Sequence, residues 1–266
     1  MNRLFQYLIK QKPIIGMIHF PPLIGYEGFT SVEKIKRRIL KEVSILNSSG
    51  VHAIMVENNY DIPHKIFINP ESTAMLSILT DVVVKNTKLP VGIDVLWNDY
   101  KSAFGICAAT GASFIRIPAF VDDVRTKYGN VYHVADDAIA YRNRLHLEHV
   151  AIIADIQVKH SEMLDKKKPL SLSVRQAIKK GADGIIITGK WTGNAPLKEH
   201  LEIAKENAGS LPILVGSGST KENLKDLFTY ANGIIVGTAI MSGGIVNKQK
   251  LNIYMQVYKK SFQKKD

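Results

Sequence analysis

Short apolar, largely β-branched runs alternate with longer amphipathic stretches along almost the whole of this chain. That alternation limits the fold more than any other feature. The runs are Ile14–Phe20, Ala53–Asn58, Val91–Leu96, Phe114–Ala119, Ala151–Lys159, Gly184–Gly189, Ile213–Gly216 and Gly233–Thr238. Most are near-continuous in apolar character rather than alternating. A strand reads that way when it lies in a parallel sheet with both faces covered.

The stretches between the runs carry helical spacing. Ile35, Ile39, Val43 and Leu46 fall on one face of a helix over Glu33–Leu46. Thr30 with Glu33, and Ser219 with Glu222, fit capping boxes. Asn69-Pro70-Glu71 reads as an N-cap followed by proline in the first turn. Gly50, Gly111 and Gly181 each stand between a helix and a strand, where a left-handed C-cap residue is wanted. The chain has 266 residues, and eight βα units in about 250 residues match a (β/α)8 TIM barrel. An open doubly wound sheet would show a glycine-rich turn after its first strand. Here that strand ends His19-Phe20-Pro21-Pro22. The expectation is one α/β barrel domain over residues 1–266, with an N-terminal extension (1–12) and a basic tail (259–266).

Composition narrows the function classes. No apolar run reaches the roughly 20 residues of a membrane-spanning helix, and residues 1–12 lack the pattern of a signal peptide. A single cysteine, Cys107, leaves no intrachain disulfide framework or Cys-rich zinc site. A reducing cytoplasm is the expected location. The formal charge of +11 gathers partly at Lys166-Lys167-Lys168 and at Lys259–Lys265. These read first as solvated surface, with peripheral contact to an anionic membrane as the alternative. No nucleic-acid-binding signature is present. A homo-oligomer is the expected assembly.

Ionisable residues inside apolar strands are the first functional signal. An unpaired charge against the helix layer costs several kcal/mol, roughly, so such residues should face the barrel axis near its C-terminal mouth. They are His19, Glu57, Asp94, Arg116, Asp155 and Lys159, with Gln157 on the same face as the last two. Asn98, Thr188 and Lys190 follow as candidate substrate contacts. Lys159 is the foremost candidate nucleophile or base, because desolvation lowers a lysine pKa. A buried Asp94–Arg116 ion pair and an orienting role for Asp155 are the structural alternatives. His19, Glu57 and Asp155 also offer hard oxygen and imidazole ligands for a divalent metal. No ligand spacing marks such a site, and no cofactor is specified.

The second signal is glycine at the ends of the last two strands. Gly216-Ser217-Gly218 and Gly237-Thr238 stand where many TIM barrels bind phosphate through main-chain N–H groups. A helix opening near Thr220 would add its dipole, and the Ser217 hydroxyl one more donor. The expected partner is a small phosphorylated molecule.

In combination these motifs resemble the BtpA/SgcQ family of TIM-barrel proteins. The matching stretches include Gly16-Met17-Ile18-His19, Val56-Glu57-Asn58, Val95-Leu96-Trp97-Asn98-Asp99 and Phe114-Ile115-Arg116-Ile117. They continue with Ala154-Asp155-Ile156-Gln157-Val158-Lys159-His160 and Val215-Gly216-Ser217-Gly218. The resemblance implies a TIM barrel from about residue 14 to about 245. It carries no settled reaction: one branch is named for photosystem I biogenesis, and another lies near sugar-uptake genes. The chain departs from the family pattern at Thr188-Gly189-Lys190-Trp191-Thr192-Gly193, which adds a lysine and a tryptophan. It departs again at Val121–Asp137, where Gly129 is the one glycine. The leading expectation is an enzyme acting on a phosphorylated metabolite. The alternative is a non-catalytic assembly factor.

Overall fold

A computed structural model describes residues 3–262. Eight parallel strands close into a barrel: β1 (Ile14–His19), β2 (Ala53–Glu57), β3 (Val91–Asp94), β4 (Phe114–Ile117), β7 (Ala151–Ile156), β9 (Gly184–Ile187), β10 (Ile213–Val215) and β11 (Gly233–Val236). All eight expected runs are therefore barrel strands, and β11 pairs back onto β1 to complete the closure. Helices α2 (Val32–Ser49), α3 (Pro70–Lys85), α4 (Tyr100–Thr110), α5 (Ala135–Arg144), α6 (Leu170–Lys179) and α7 (Lys198–Asn207) follow the first six barrel strands in turn.

Three glycine stops and the start of α2 follow the sequence, the last with a shift of one residue. Gly50, Gly111 and Gly181 adopt φ of 88°, 83° and 83°, the left-handed region that a side chain would strain. Helix α2 buries Ile35, Ile39, Val43 and Leu46, as its spacing requires. Its N-cap is Ser31, one residue later than Thr30, with the hydroxyl accepting from Lys34 N–H at 3.2 Å. Gly16 faces this helix, where a Cβ would come within 2.6 Å of Leu46 Cδ2.

Most strands stop one to three residues before their apolar runs do. The fifth shows why. At Gln157 the backbone turns to φ 47°, and its N–H leaves the ladder for the Asp122 carboxylate at 2.9 Å. Gln157 therefore does not share a strand face with Asp155 and Lys159. Its amide donates to Lys168 O instead. Apolar residues beyond a strand end still pack, so hydropathy overruns the hydrogen-bonded ladder.

The expected capped helix after the seventh strand is a single turn, α8 (Leu224–Leu227), with no side-chain cap. Ser219 bonds to Tyr254 OH at 2.6 Å rather than capping. Thr220 and Asn223 bond each other's main-chain N–H groups across the intervening turn. A helix dipole near Thr220 is therefore absent from the mouth.

Both ends of the chain close the barrel. Helix α1 (Arg3–Lys10) turns the N-terminal extension into a plug: Phe5 is 2% exposed, and its ring lies 6.3 Å from that of Phe114. Gly92 makes room inside for Phe114, whose ring a Cβ would overlap. The final helix, α9 (Lys248–Phe262), buries Leu251, Tyr254, Met255 and Tyr258. Lys259 and Lys260 are exposed on its last turn, while the rest of the basic tail from 263 lies outside the described residues.

One element had no counterpart in the sequence reading. After β4 the chain forms a hairpin, β5 (Val124–Thr126) and β6 (Gly129–Val131), and β8 (Ser161–Met163) joins β5 antiparallel. This three-stranded flap stands over one side of the mouth. Its small core is Trp97, Ala119, Val124, Val131 and Val158.

Candidate functional site

Strand register assembles the charged side of the mouth. His19 on β1 pairs with Glu57 on β2, Glu57 with Asp94 on β3, and Asp94 with Arg116 on β4. Paired residues of parallel neighbours share a face, so four ionisable side chains form one row inside the barrel. Asp155 on β7 completes the set. It receives both Arg116 Nε at 2.7 Å and an Nη at 2.8 Å. The other Nη of Arg116 lies 3.2 Å from Asp94 and 3.7 Å from Glu57. His19 Nε2 is 3.9 Å from Glu57.

The protonation of this cluster follows from burial and sign. Desolvation drives Asp94 well above the usual carboxylate range. Arg116 opposes it, while Glu57 and Asp155 reinforce it. Asp94 is thus pushed toward its neutral form, because burial and the neighbouring carboxylates outweigh the one guanidinium. Burial also pushes Glu57 upward, but the positive charges of His19, Arg116 and Lys159 outweigh it and hold Glu57 below its ordinary value. His19 is lowered by burial against the pull of Glu57. Lys159 is lowered by burial and by Arg116, against the three acids.

A cleft of about 400 Å³ opens above the row, walled by His19, Glu57, Arg116 and Lys159 on one side and by the loops after β10 and β11 on the other. Lys159 lies three residues past the end of β7. Its N–H is held by the Thr188 hydroxyl at 3.1 Å, and its ammonium makes no hydrogen bond or ion pair among the described residues. Asp94 and Asp155 are fully buried and do not line the cleft. They position Arg116, the structural alternative weighed for both.

Three expected substrate contacts sit elsewhere. Asn98 is 1% exposed and exchanges hydrogen bonds with the Ala119 main chain. It ties the third and fourth loops together and does not reach the cleft. Thr188 acts through Lys159. Lys190 is exposed on the rim of a neighbouring pocket, its ammonium 5.8 Å from the Trp191 ring. The set His19, Glu57 and Asp155 does not form a metal site either. Both Asp155 oxygens face Arg116, and no group of three or more His, Cys, Asp or Glu among the described residues is arranged to hold an ion.

The glycine-rich side is built from main chain, and its glycines differ. Gly216 donates its N–H to Ile187 O at 3.0 Å, so that group is taken. A Cβ there would overlap the Ile186 γ-methyl inside the barrel. Gly218 needs its φ of 64°, and a Cβ would collide with the backbone of Asn194-Ala195. Gly237 alone has space, with the nearest atoms those of His19 at 3.5 Å. The Ser217 hydroxyl is not a spare donor, because it donates to Asn194 O (2.8 Å) and accepts from Gly189 N–H (2.7 Å). What remains is main-chain N–H groups of the cleft wall with no partner among the described residues, those of Ser217, Gly218, Thr238 and Ala239 among them.

Sequence reasoning missed Arg38. From α2 it donates to His19 O and Gly244 O at 2.9 Å each, clamping the first and last loops of the mouth, while Glu42 holds its Nε. A helix residue gives no local sign of such a reach. Tyr60 and Asn59, also in the cleft wall, follow the Glu57-Asn58 motif and were within reach of the same strand-end argument.

The chain is thus a (β/α)8 barrel with a charged mouth at the C-terminal ends of its strands. Within that class the chain belongs to the BtpA family, whose profile matches residues 10–260. It is 34% identical over 248 residues to the photosystem I biogenesis protein BtpA of Synechocystis, covering 92% of this chain and 86% of the relative. It is 32% identical over 244 residues to an uncharacterized protein of Thermococcus kodakarensis, covering 90% and 91%. Among solved structures, thiamine phosphate pyrophosphorylase from Pyrococcus furiosus superposes with a TM-score of 0.61 over 96% of this chain and 98% of that one, at 13% identity. At that identity the likeness is one of fold. No helix among the described residues is long and apolar enough to cross a membrane.

Proposed function

We propose that this chain is an enzyme acting on a small phosphorylated molecule. The reading rests on one observation: residues whose main-chain N–H groups have no partner among the described residues, Ser217, Gly218, Thr238 and Ala239 among them, line the same cleft as His19, Glu57, Arg116 and Lys159. Ser217, Gly218, Thr238 and Ala239 hold the phosphate oxygens. Backbone donors fixed in place before binding suit an anion without the ordering cost of long side chains. Lys159, partly desolvated and without an ion partner, is the nucleophile or base. Glu57 and His19 move protons beside it, and Arg116 steadies Glu57 and developing negative charge. Isomerases, lyases and hydrolases all use such a set.

The test is calorimetric titration of inorganic phosphate and a sugar phosphate into wild type and Gly237→Val. The valine fills open space beside His19 without the internal clash expected at Gly216, so loss of binding with an unchanged melting temperature supports the reading. Equal affinity in both proteins removes it. The name of the Synechocystis relative supports a second reading, a non-catalytic biogenesis factor. Absence of any phosphate-dependent signal in wild type would favour it.

A further inference from the structure

Beside the cleft, and sharing Glu57, Arg116, Lys159 and Tyr60 with it, lies a second cavity of about 690 Å³. Its character is different. Trp97, Tyr128, Trp191 and Ile62 line it, under the flap and the loop after β9. Trp191 is 51% exposed and Ile62 is 52% exposed, so large apolar side chains are left facing solvent at the mouth of a site. Such surface is normally covered by a ligand or partner.

The loop that carries Trp191 is held in place. His160 N–H donates to Lys190 O at 3.2 Å, and His160 Nε2 meets the Thr192 hydroxyl at 2.8 Å. The His160 ring lies 5.3 Å from the Trp191 ring. On the opposite wall, His64 stands edge-on to Tyr128, with ring centroids 5.3 Å apart. Its Nδ1 has no hydrogen-bond partner among the described residues. Arg125, Lys127 and Lys190 line the same cavity. Aromatic faces, a neutral imidazole and flanking cations recognise planar, electron-rich rings, by stacking and by edge hydrogen bonds.

We propose that the substrate is a phosphate monoester carrying a planar heteroaromatic ring, with the ring seated in this second cavity against Trp191 and Tyr128. This rests on the phosphate reading above and narrows it from phosphorylated molecules in general to ring-bearing ones. The junction of the two cavities, at Lys159 and Glu57, then places the reacting part of the molecule between its phosphate and its ring.

The test uses four probes against wild type and Trp191→Ala: inorganic phosphate, ribose 5-phosphate, a set of nucleoside 5′-monophosphates and the matching nucleosides. Binding is followed by calorimetry and by tryptophan fluorescence. Trp191 is half exposed, so its removal leaves the fold standing. The expected result is that at least one monophosphate binds wild type about tenfold more tightly than ribose 5-phosphate, quenches fluorescence, and loses that advantage in Trp191→Ala. Ribose 5-phosphate binding as well as every monophosphate, or an advantage that survives in Trp191→Ala, overturns the ring site while leaving the phosphate reading intact. A nucleoside that binds as tightly as its monophosphate, with Trp191 required, keeps the ring site and removes the phosphate reading. No binding by any ring-bearing probe overturns the ring site.

Discussion

Five barrel strands, β1 to β4 and β7, bring His19, Glu57, Asp94, Arg116 and Asp155 to the mouth, whereas β10 and β11 bring no ionisable side chain at all. The first side is held by charge. Glu57, Asp94, Arg116 and Asp155 are buried and His19 partly so, and each pairs with another ionisable member of the set. The second side is held by backbone. It offers N–H groups whose positions depend on turns rather than side-chain identity. One half of the cleft is thus electrostatically coupled and the other geometrically fixed. The two should respond to substitution in different ways.

The largest effect should come from breaking the coupled half. Arg116→Met leaves Asp155, Glu57 and Asp94 without their shared cation, and should destabilise the fold by about 3–5 kcal/mol. Chemical denaturation reads this directly. A loss below 1 kcal/mol would mean that the carboxylates are solvated or protonated without it. Lys159→Met touches no ion pair, so its melting temperature should stay within a few degrees while any turnover is abolished.

Substitutions on the other half should separate the glycines. Gly218→Ala must both strain a left-handed residue and displace the Asn194-Ala195 backbone, at a cost of about 1–3 kcal/mol or more. Gly237→Ala should leave stability nearly unchanged. If the two variants melt together, the geometric account of this side is wrong. Ser217→Ala should cost about 1–3 kcal/mol in stability, because it strands Gly189 N–H and Asn194 O near the mouth. Isothermal binding of phosphate to the same variant should change little, since no hydroxyl donor is lost to the ligand.

A last expected effect, seen only as the pH is lowered, is a pH dependence at the cavity wall. Burial is the main cause that pushes His64 from 6.5 down to about 4, with Glu57 opposing and Lys127 assisting. The folded state therefore prefers the neutral ring. The resulting stability is present above pH 6.5 and is lost as the pH falls through about 4. His64→Phe should flatten that part of the stability profile. An unchanged profile between pH 6.5 and 4 would place the titration elsewhere.

The two halves also differed in how well they could be read in advance. Charged residues within apolar runs are visible in one dimension. Because side-chain period in a strand is two, their common facing followed as well. Register then confirmed the row His19, Glu57, Asp94 and Arg116. The glycines were visible but not their reasons. In the sequence Gly216, Gly218 and Gly237 look alike; in space one admits Ile186, one turns the chain and one leaves room. Asn98 and the Ser217 hydroxyl could not be read in advance, because a polar group near a strand end looks the same whether its partners are protein main chain or ligand.

By itself, then, the sequence determined the eight strands, their parallel order, the glycine stops after three helices and the residues that had to face the barrel axis. Those properties follow from hydropathy period and from the cost of burying charge, which act locally. The tertiary structure alone decided which hydrogen-bonding groups were already satisfied. It left Asp94 and Asp155 beneath the cleft and Lys159 without an ion partner in its wall. It tied up the Ser217 hydroxyl, and it folded residues 124–131 and 161–163 into one flap. Satisfaction is a property of pairs brought together across 20 to 40 residues of chain (Arg116 with Asp155, Asp122 with Gln157, Ser217 with Asn194). No period within a single segment encodes the partner at the other end.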